Sequence, residues 1–374
     1  MRGVPDDASP KLGQIFHVQL WREMTAAGNC KDQHLIEELL AGMNIVGDVA
    51  RSGRWPPLDK DKGSKPVQHL IDRAWEVKKK INGHLRNTKV TEHSKQIWDA
   101  TIEDRDEGSC RGPFFSEAEV TAALDGDSSW IPTQRFEVVQ KNKVRGCDSA
   151  TINLVNVVTN VLEKLQLPST DQNVAAIREL LKKAGRRKIR AWVLDERKAY
   201  RQIGIRPDQR KYSVVAFKHF ETGKIAYFIM IGHSFGLVSA VYNYNRRSAL
   251  IDEILRSIFG LVCFNFYDDK FGFEPEDTIE SANQVARDVH TWLGAQFDEA
   301  KCQSGDRVDI LGITYDLEQF LLLIKDKRKD EIIAEIDGIL EAKILEPGRA
   351  GKLKGKLGFA ASQLWGKEQH KGRQ

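Results

Sequence analysis

The spacing of apolar residues divides the chain into parts with different predicted structure. Residues 1 to about 130 carry apolar side chains at helical spacing, as in "DQHLIEELLAGMNIV" and "PVQHLIDRAWEVKKKINGHL". The Gly- and Pro-rich stretch "RSGRWPPLDKDKGSKP" between these two segments predicts a loop. From about residue 131, short apolar runs alternate irregularly with amphipathic segments. This irregular mixture predicts an α+β fold rather than a doubly wound sheet.

Strand and hairpin patterns are clearest between residues 131 and 320. "RFEVVQKNKVR" predicts two strands joined at "QKNK", and "KYSVVAFKHFETGKIAYFIMIG" predicts a hairpin around "ETGK". Helices are predicted over "TDQNVAAIRELLKKAG", from Val238 to Phe259 with Ile258 on the buried side, and over "DTIESANQVARDVHTWLG". "VDILGITYD" and "QFLLLIK" predict another strand pair, and the end of the chain is predicted to be helical.

Two adjacent carboxylates, Asp268 and Asp269, stand inside the apolar run "LVCFNFYDDKFGF". They mark either a solvated hairpin turn or a site where a cation offsets their charge. A third carboxylate, Asp195, ends the apolar strand "IRAWVLD". Two strands that end in carboxylates can lie side by side at the centre of one sheet, where the acids would hold two divalent cations. We therefore expect a magnesium site, with Mn²⁺ as an alternative ion.

Composition places limits on the class of protein. The chain has 374 residues and a net charge of +4, with no apolar stretch as long as a membrane span and no hydrophobic signal core in "MRGVPDDASPKLGQ". We expect a cytoplasmic or nuclear protein without membrane contact. Five cysteines without a CxxC pair argue against a disulfide framework or a zinc finger. "LKKAGRRKIR" carries six basic residues and no acid, which indicates either a phosphate-binding run or a solvated face.

Three segments resemble, in order and spacing, the palm motifs of reverse transcriptases: "VLDERKAYRQIGI", "HSFGLVSAVYNYNR" and "FYDD". The family pattern has an Asp followed five residues later by an aromatic residue, then a Phe-Gly-Leu-x-x-Ala turn, then an aromatic-x-Asp-Asp hairpin. The matching positions are Asp195, Tyr200, Phe235, Gly236, Leu237, Ala240, Phe266, Asp268 and Asp269. "GKLKGKLGFAASQLWGK" further resembles the thumb of retroelement polymerases, particularly those of the DIRS-like type.

The resemblance implies a right-hand polymerase with fingers, palm and a partial thumb, preceded by a mainly helical N-terminal extension. The expected domains are the extension at 1–130, fingers and palm at 131–320, and the start of the thumb with a basic tail at 321–374. The implied activity is DNA synthesis from dNTPs on an RNA or DNA template–primer, by nucleotidyl transfer at two metal ions. Oligomeric state is left open.

Roles for individual residues also follow from the resemblance. Asp195, Asp268 and Asp269 are expected to be catalytic and, with Glu196, to bind metal; Lys301 in "FDEAKC" is expected to protonate the pyrophosphate leaving group. The substrate-binding residues are expected to be Lys143, Arg145, Tyr200, Phe235 and Gly236. Lys143 and Arg145 would meet the triphosphate, and Tyr200 would exclude a 2′-hydroxyl.

The sequence departs from the family pattern at three places. Ser234 and Val241 replace prolines that usually flank the Phe-Gly turn, and Glu196 stands where the main-chain carbonyl normally serves the metal. The fingers segment "RGCD" is also one residue shorter than usual. Two alternatives stay open: an RNA-dependent RNA polymerase, and a catalytically inactive reverse transcriptase-like protein that binds nucleic acid.

Overall fold

The computed structural model of the protein describes residues 17–58, 65–140 and 143–363, apart from a few side chains. The described residues fall into two compact units, each collected from separate segments of the chain. The first unit draws on Met1–Gln166, Arg197–Ile254 and Val289–Gln296, and the second on Leu167–Glu196, Leu255–Asp288 and Phe297–Gln374. The domain boundaries expected near residues 130 and 320 stay predictions.

The helices and strands follow one another in irregular order. The helices are α1 (Val18–Ala27), α2 (Leu35–Ala41), α3 (Val67–Asp72), α4 (Ala74–Asn87), α5 (Ser94–Asp106), α6 (Glu117–Ala123), α7 (Thr170–Ala184), α8 (Val238–Ser257), α9 (Ile279–Trp292), α10 (Asp326–Ala342) and α11 (Pro347–Gln363). The strands are β1 (Gly47–Val49), β2 (Cys110–Phe114), β3 (Pro132–Gln140), β4 (Lys143–Asp148), β5 (Thr159–Val161), β6 (Ile189–Asp195), β7 (Val214–Lys218), β8 (Ile225–Met230), β9 (Val262–Phe266), β10 (Asp269–Pro275), β11 (Gln303–Gly305), β12 (Arg307–Ile310), β13 (Ile313–Asp316) and β14 (Leu321–Ile324).

The first unit is built around a five-stranded sheet with the order β2-β8-β7-β3-β4. The β3 and β7 strands pair in parallel and the other neighbours are antiparallel. The central strands β7 and β8 are almost continuously buried, which explains their unbroken apolar sequences "VVAF" and "AYFIM". The Phe217 and Phe228 rings stack across these strands with centroids 5.6 Å apart. This aromatic pair stabilises the antiparallel pairing of β7 with β8.

The second unit contains a four-stranded antiparallel sheet with the order β11-β6-β10-β9 and a three-stranded sheet with the order β12-β13-β14. Its core includes Val193 of β6, Phe271 and Phe273 of β10, and Tyr315 of β13. The α7 helix covers β6 and β10, and it begins with a capping box between Ser169 and Gln172. The strands β6 and β10 therefore lie at the centre of a packed sheet.

The predicted α+β fold is confirmed, and so are most of the predicted elements. The "FYDD" and "ETGK" hairpins form, and α7 spans Thr170–Ala184 as its sequence pattern predicts. The prediction that Ile258 is buried was wrong, because α8 ends at Ser257 and Ile258 is 39% exposed. The residues at 141–142 of the predicted "QKNK" turn lie outside the described part of the chain. Within the described ranges, no helix has the length and apolar character needed to cross a bilayer.

Candidate active site

Strand pairing in the second unit brings three carboxylates to one end of the four-stranded sheet. In the antiparallel pairing of β6 with β10, Asp195 and Asp269 are direct partners. Asp268 lies in the tight turn that joins β9 to β10, after Tyr267, whose φ is +52°. The two carboxylate-bearing strands thus lie side by side at the centre of one sheet, as the sequence predicts.

Main-chain hydrogen bonds hold these carboxylates in place. The N–H of Asp298 donates to the carbonyl oxygen of Asp195 at 2.9 Å, and the N–H of Glu196 approaches the carbonyl oxygen of Asp268 at 3.5 Å. The Asp195 side chain is 19% exposed, and Asp268 is an exposed residue of the turn although its carboxyl group is partly desolvated. The cluster is therefore anchored through its backbone, and its carboxylates are partly buried.

The electrostatics of the cluster disfavour three ionised carboxylates without a cation. The pKa of Asp269 is raised to about 6, by partial burial first and then by the negative charges of Asp268 and Asp195, against the opposing effect of Lys325 and Lys301. The pKa of Asp268 is also raised, by desolvation first and then by the charges of Asp195 and Glu196. A cation bound at this sheet end would remove much of this repulsion.

One cationic side chain already reaches the cluster. The Lys301 Nζ lies 2.8 Å from Oδ1 of Asp195 and 2.8 Å from Oδ2 of Asp298, at the end of a short 3₁₀ turn. Partial burial lowers the pKa of Lys301, but the hydrogen bonds to the two carboxylates outweigh this effect and the pKa is raised. Lys301 therefore stays protonated at neutral pH, and its predicted role as a proton donor to pyrophosphate stays a prediction.

The side chain of Glu196 points in a different direction from that of Asp195, its neighbour in sequence. Its side chain is fully buried, and Oε1 lies 3.9 Å from Nζ of the equally buried Lys270. Successive residues of a strand point to opposite faces, so a carboxylate at Asp195 and one at Glu196 do not converge on one side of the sheet. The predicted metal-binding role of Glu196 gains no support from this arrangement.

The three carboxylates have suitable donor atoms for Mg²⁺, but they do not form a complete coordination shell. The carboxylate oxygens of Asp195, Asp268 and Asp269 are the hard donors that Mg²⁺ prefers, and their mutual repulsion favours a cation. In the part of the chain that the structure describes, however, no three His, Cys, Asp or Glu side chains are grouped tightly enough to hold a metal ion. A Mg²⁺ ion here would keep water or substrate phosphates among its ligands.

The residues predicted to bind substrate belong to the first unit. Tyr200, in a 3₁₀ turn at Ala199–Gln202, is half-buried, with its ring edge-to-face against Phe235 at 5.2 Å and Tyr244 at 5.4 Å. Phe235 is 43% exposed and also lies near the guanidinium group of Arg201, 5.6 Å from it. An exposed aromatic face on a fixed ring remains available for contact with a ligand.

The backbone conformation and the close packing at Gly236, within the first unit, require a glycine. Its φ is +96°, and an added Cβ would lie 2.1 Å from the carbonyl oxygen of Asp148. Asn156 Nδ2 donates to the Gly236 carbonyl oxygen at 2.8 Å, which holds this close approach just before α8. A packing requirement thus accounts for the glycine, and its predicted contact with a nascent base pair stays a prediction.

The fingers residues are described only in part. Arg145 is exposed on β4, opposite Val138 of β3. Lys143 begins β4, and its side chain lies outside the described part of the chain. An exposed guanidinium on a hairpin can reach a phosphate, so the predicted role of Arg145 is open to test.

A buried ion-pair network was not predicted from the sequence. Arg135 of β3 donates through Nε and Nη2 to the Asp148 carboxylate at 2.7 and 2.9 Å, and through Nη1 to Thr101 at 2.7 Å. Arg201 adds an ion pair with Asp104 at 3.1 Å. In the sequence, Arg135 opens the predicted "RFEVVQKNKVR" hairpin and Asp148 lies three residues beyond its end, and neither position indicates a buried ion pair. This network ties the base of the β3–β4 hairpin to α5.

Three of the six basic residues in the run at 181–190 form ion pairs with acids elsewhere in the second unit. Arg187 pairs with Asp277 at 3.3 Å, Lys188 with Glu318 at 2.8 Å and Arg190 with Asp306 at 2.6 Å. Each acid lies far away in sequence, so no local pattern could indicate the pairing. The structure favours a solvated, ion-paired face over a run that binds phosphates.

Comparison with known proteins gives one result that bears on the fold. No family model and no curated protein matches the sequence. Solved structures do match, in 526 chains, and one of them is described as a foamy viral protease-reverse transcriptase dRH in complex with ds DNA. It is 13% identical, with a TM-score of 0.50, and the match covers 92% of this chain and 52% of that chain. The chain therefore spans about half the length of that structure and has a reverse transcriptase-like fold.

Proposed function

We propose that this chain is a nucleic-acid polymerase of the reverse transcriptase type, which extends a primer with dNTPs on an RNA template. The observation that carries the proposal is the pairing of Asp195 with Asp269 on the two central strands, with Asp268 at the adjoining turn. The fold of the foamy viral protease-reverse transcriptase and its bound double-stranded DNA support the same class of activity. The right-hand arrangement of fingers, palm and partial thumb, and a DIRS-like origin, belong to this proposal.

Asp195 and Asp268 would hold two Mg²⁺ ions, and Asp269 would add negative charge beside them. Bound Mg²⁺ supplies charge neutralisation on the triphosphate and a lower pKa for the primer hydroxyl. The side chains of the protein position the reactants and exclude wrong ones. Lys301 holds a proton on Nζ next to Asp195, and in our proposal it gives that proton to the pyrophosphate leaving group.

Four residues of the first unit have proposed roles in substrate binding. Arg145 and Lys143 bind the triphosphate, as a bidentate guanidinium and a point charge respectively. Tyr200 and Phe235 form an aromatic pair that contacts the incoming nucleotide, with Tyr200 against its sugar. These roles rest on the sequence motifs.

The test is extension of a labelled DNA primer on an RNA template with Mg²⁺. The wild-type chain should incorporate dNTPs, and Asp195→Asn or Asp268→Asn should remove the activity because each variant loses a charge that the cations need. Asp277→Asn is the matched control, since Asp277 is a surface acid of the same unit that pairs with Arg187. Equal activity in Asp268→Asn and Asp277→Asn would refute the assignment of the site.

The same assay separates the two alternatives. Products only with NTPs would identify an RNA-dependent RNA polymerase. Tight binding of template–primer without any product would identify a catalytically inactive nucleic-acid-binding protein.

A further inference from the structure

A polar cleft of about 390 Å³ opens in the first unit, apart from the residues assigned to polymerisation. It lies between the end of α4, the turn that enters α6 and the β7–β8 hairpin. The lining side chains that matter here are Arg86, Phe115, Glu117, Lys218 and Lys224. All of them belong to the first unit, whereas the three carboxylates of the candidate active site belong to the second.

The cleft has an excess of positive charge. Three cations, Arg86, Lys218 and Lys224, face one carboxylate, Glu117, which accepts a hydrogen bond from Asn82 at 2.7 Å. Among the described residues, none of the three cations is within ion-pair distance of an acid. Lys218 Nζ instead donates to the backbone carbonyl of Arg86 at 2.9 Å, which fastens the hairpin to α4. This excess of positive charge favours an anion in the cleft.

The exposed aromatic ring of Phe115 lines the cleft and packs against other aromatic side chains. Phe115 is 42% exposed, and its ring meets that of His219 edge-to-face at 6.0 Å. His219 stacks on Phe220 at 4.9 Å and contacts Trp98 at 4.3 Å. The backbone N–H groups of Glu221 and Thr222 both donate to His219 Nδ1 at 3.2 Å. Phe115 is thus a partly exposed ring that packs against an aromatic cluster.

We propose that this cleft binds single-stranded nucleic acid, with a base stacked on Phe115 and phosphates held by Arg86 and Lys224. Basic side chains beside an exposed aromatic ring suit single strands, because every unpaired base has a π-face and every linkage a negative charge. A duplex keeps its bases stacked on one another, so it cannot use the aromatic ring. The proposal concerns binding alone and does not depend on polymerase activity.

The first experiment measures the affinity for a fluorescent 12-nucleotide RNA by anisotropy, using the full chain without divalent metal or dNTPs. Phe115→Ala should raise the Kd about tenfold, whereas Phe115→Trp should retain binding. The matched control is Phe320→Ala, which removes a 65% exposed aromatic residue of the second unit. Thermal unfolding of each variant checks that the fold is intact.

The second experiment separates charge from stacking. The double variant Arg86→Ala/Lys224→Ala should lower the slope of log Kd against log salt concentration by about 1.4, as expected for two lost phosphate contacts on a single strand. Phe115→Ala should leave that slope unchanged. Lys164→Ala/Lys329→Ala removes two exposed lysines elsewhere and should change the slope much less.

Three results would overturn the proposal. One is an unchanged Kd in Phe115→Ala, and another is an equal loss in Phe320→Ala. The third is competition by duplex or by a mononucleotide as effective as that by the 12-nucleotide strand, which would indicate a general basic surface or a nucleotide pocket. If primer extension is absent while RNA binding is retained, the result contradicts the proposed polymerase function. It does not contradict the proposed binding cleft.

Discussion

The Lys301 ammonium group lies 2.8 Å from the Asp195 carboxylate, on the strand end where the negative charges of Asp268 and Asp269 also gather. This contact neutralises the negative charge of Asp195, a carboxylate that the proposed function assigns to a metal ion. Lysine is a flexible point charge, so it can leave Asp195 without disturbing the strand. Cation binding at the cluster must therefore compete with Lys301.

This competition predicts that Lys301→Met binds Mn²⁺ more tightly than the wild-type chain. The variant keeps the length of the side chain but removes the charge, so the Mn²⁺ dissociation constant should fall severalfold, on the order of 1 kcal/mol for one charge at a partly exposed site. Electron paramagnetic resonance of free Mn²⁺ measures this directly. Lys188→Met is the matched control, because Lys188 forms an equally short ion pair in the same unit, with Glu318. Equal Mn²⁺ affinity in both variants and the wild type would contradict the competition.

Gly236→Ala should destabilise the first unit strongly. The new Cβ would meet the Asp148 carbonyl oxygen at 2.1 Å, and the backbone would have to keep a φ of +96°. We expect a loss of about 3 kcal/mol in the free energy of unfolding, from the clash and the positive φ together. Gly223→Ala is the control, since its φ is +64° but nothing lies within 4 Å of the added Cβ. The Gly223→Ala variant should lose only about 1 kcal/mol in the free energy of unfolding. Urea titration of both variants and the wild type measures these losses.

Much of the fold was predictable because its signals are local. The strand that ends on Asp195 is marked by its unbroken apolar run, and the Asp268–Asp269 hairpin by two such runs around a polar turn. The capping box at the start of α7 is likewise formed by residues that are close in sequence, Ser169 and Gln172. Local pattern therefore located the carboxylates and the strands that carry them.

The remaining features depend on residues that are distant in sequence. Nothing near Gly236 indicates that the Asp148 carbonyl will lie against it, and nothing near Lys188 indicates Glu318. The inward direction of Glu196 depends on its partner Lys270, from another strand. Tertiary packing decides such pairings, so they became visible only in the structure.

His233 predicts a pH dependence of stability. The pKa of His233 is lowered to about 4, mainly by complete burial and to a lesser extent by the charge of Arg201, while the hydrogen bond to the Ile203 carbonyl raises it. Between pH 6.5 and 4 the unfolded chain binds a proton at this residue and the folded chain does not, so stability falls as the pH falls through this window. The full loss amounts to about 3 kcal/mol.

The measurement compares urea unfolding of the wild type and His233→Gln at pH 7 and pH 5. The wild type should lose about 2 kcal/mol more than the variant between these two values. The carboxylates titrate in both proteins, so their effect cancels in the comparison. An equal loss in both proteins would show that His233 does not carry this dependence.

Tyr200 predicts the sugar preference of the proposed polymerase. Its ring is held edge-to-face between Phe235 and Tyr244, at 5.2 and 5.4 Å, so it cannot swing aside without losing both contacts. A rigid ring placed against the sugar of an incoming nucleotide would refuse a 2′-hydroxyl by steric clash. In Tyr200→Val, the preference for dNTPs over NTPs should fall at least on the order of tenfold, equivalent to about 1.4 kcal/mol of discrimination. Tyr200→Phe keeps the ring and should keep the preference. The assay is primer extension with dNTPs and NTPs at matched concentrations, and an unchanged preference in Tyr200→Val would remove Tyr200 from the proposed substrate site.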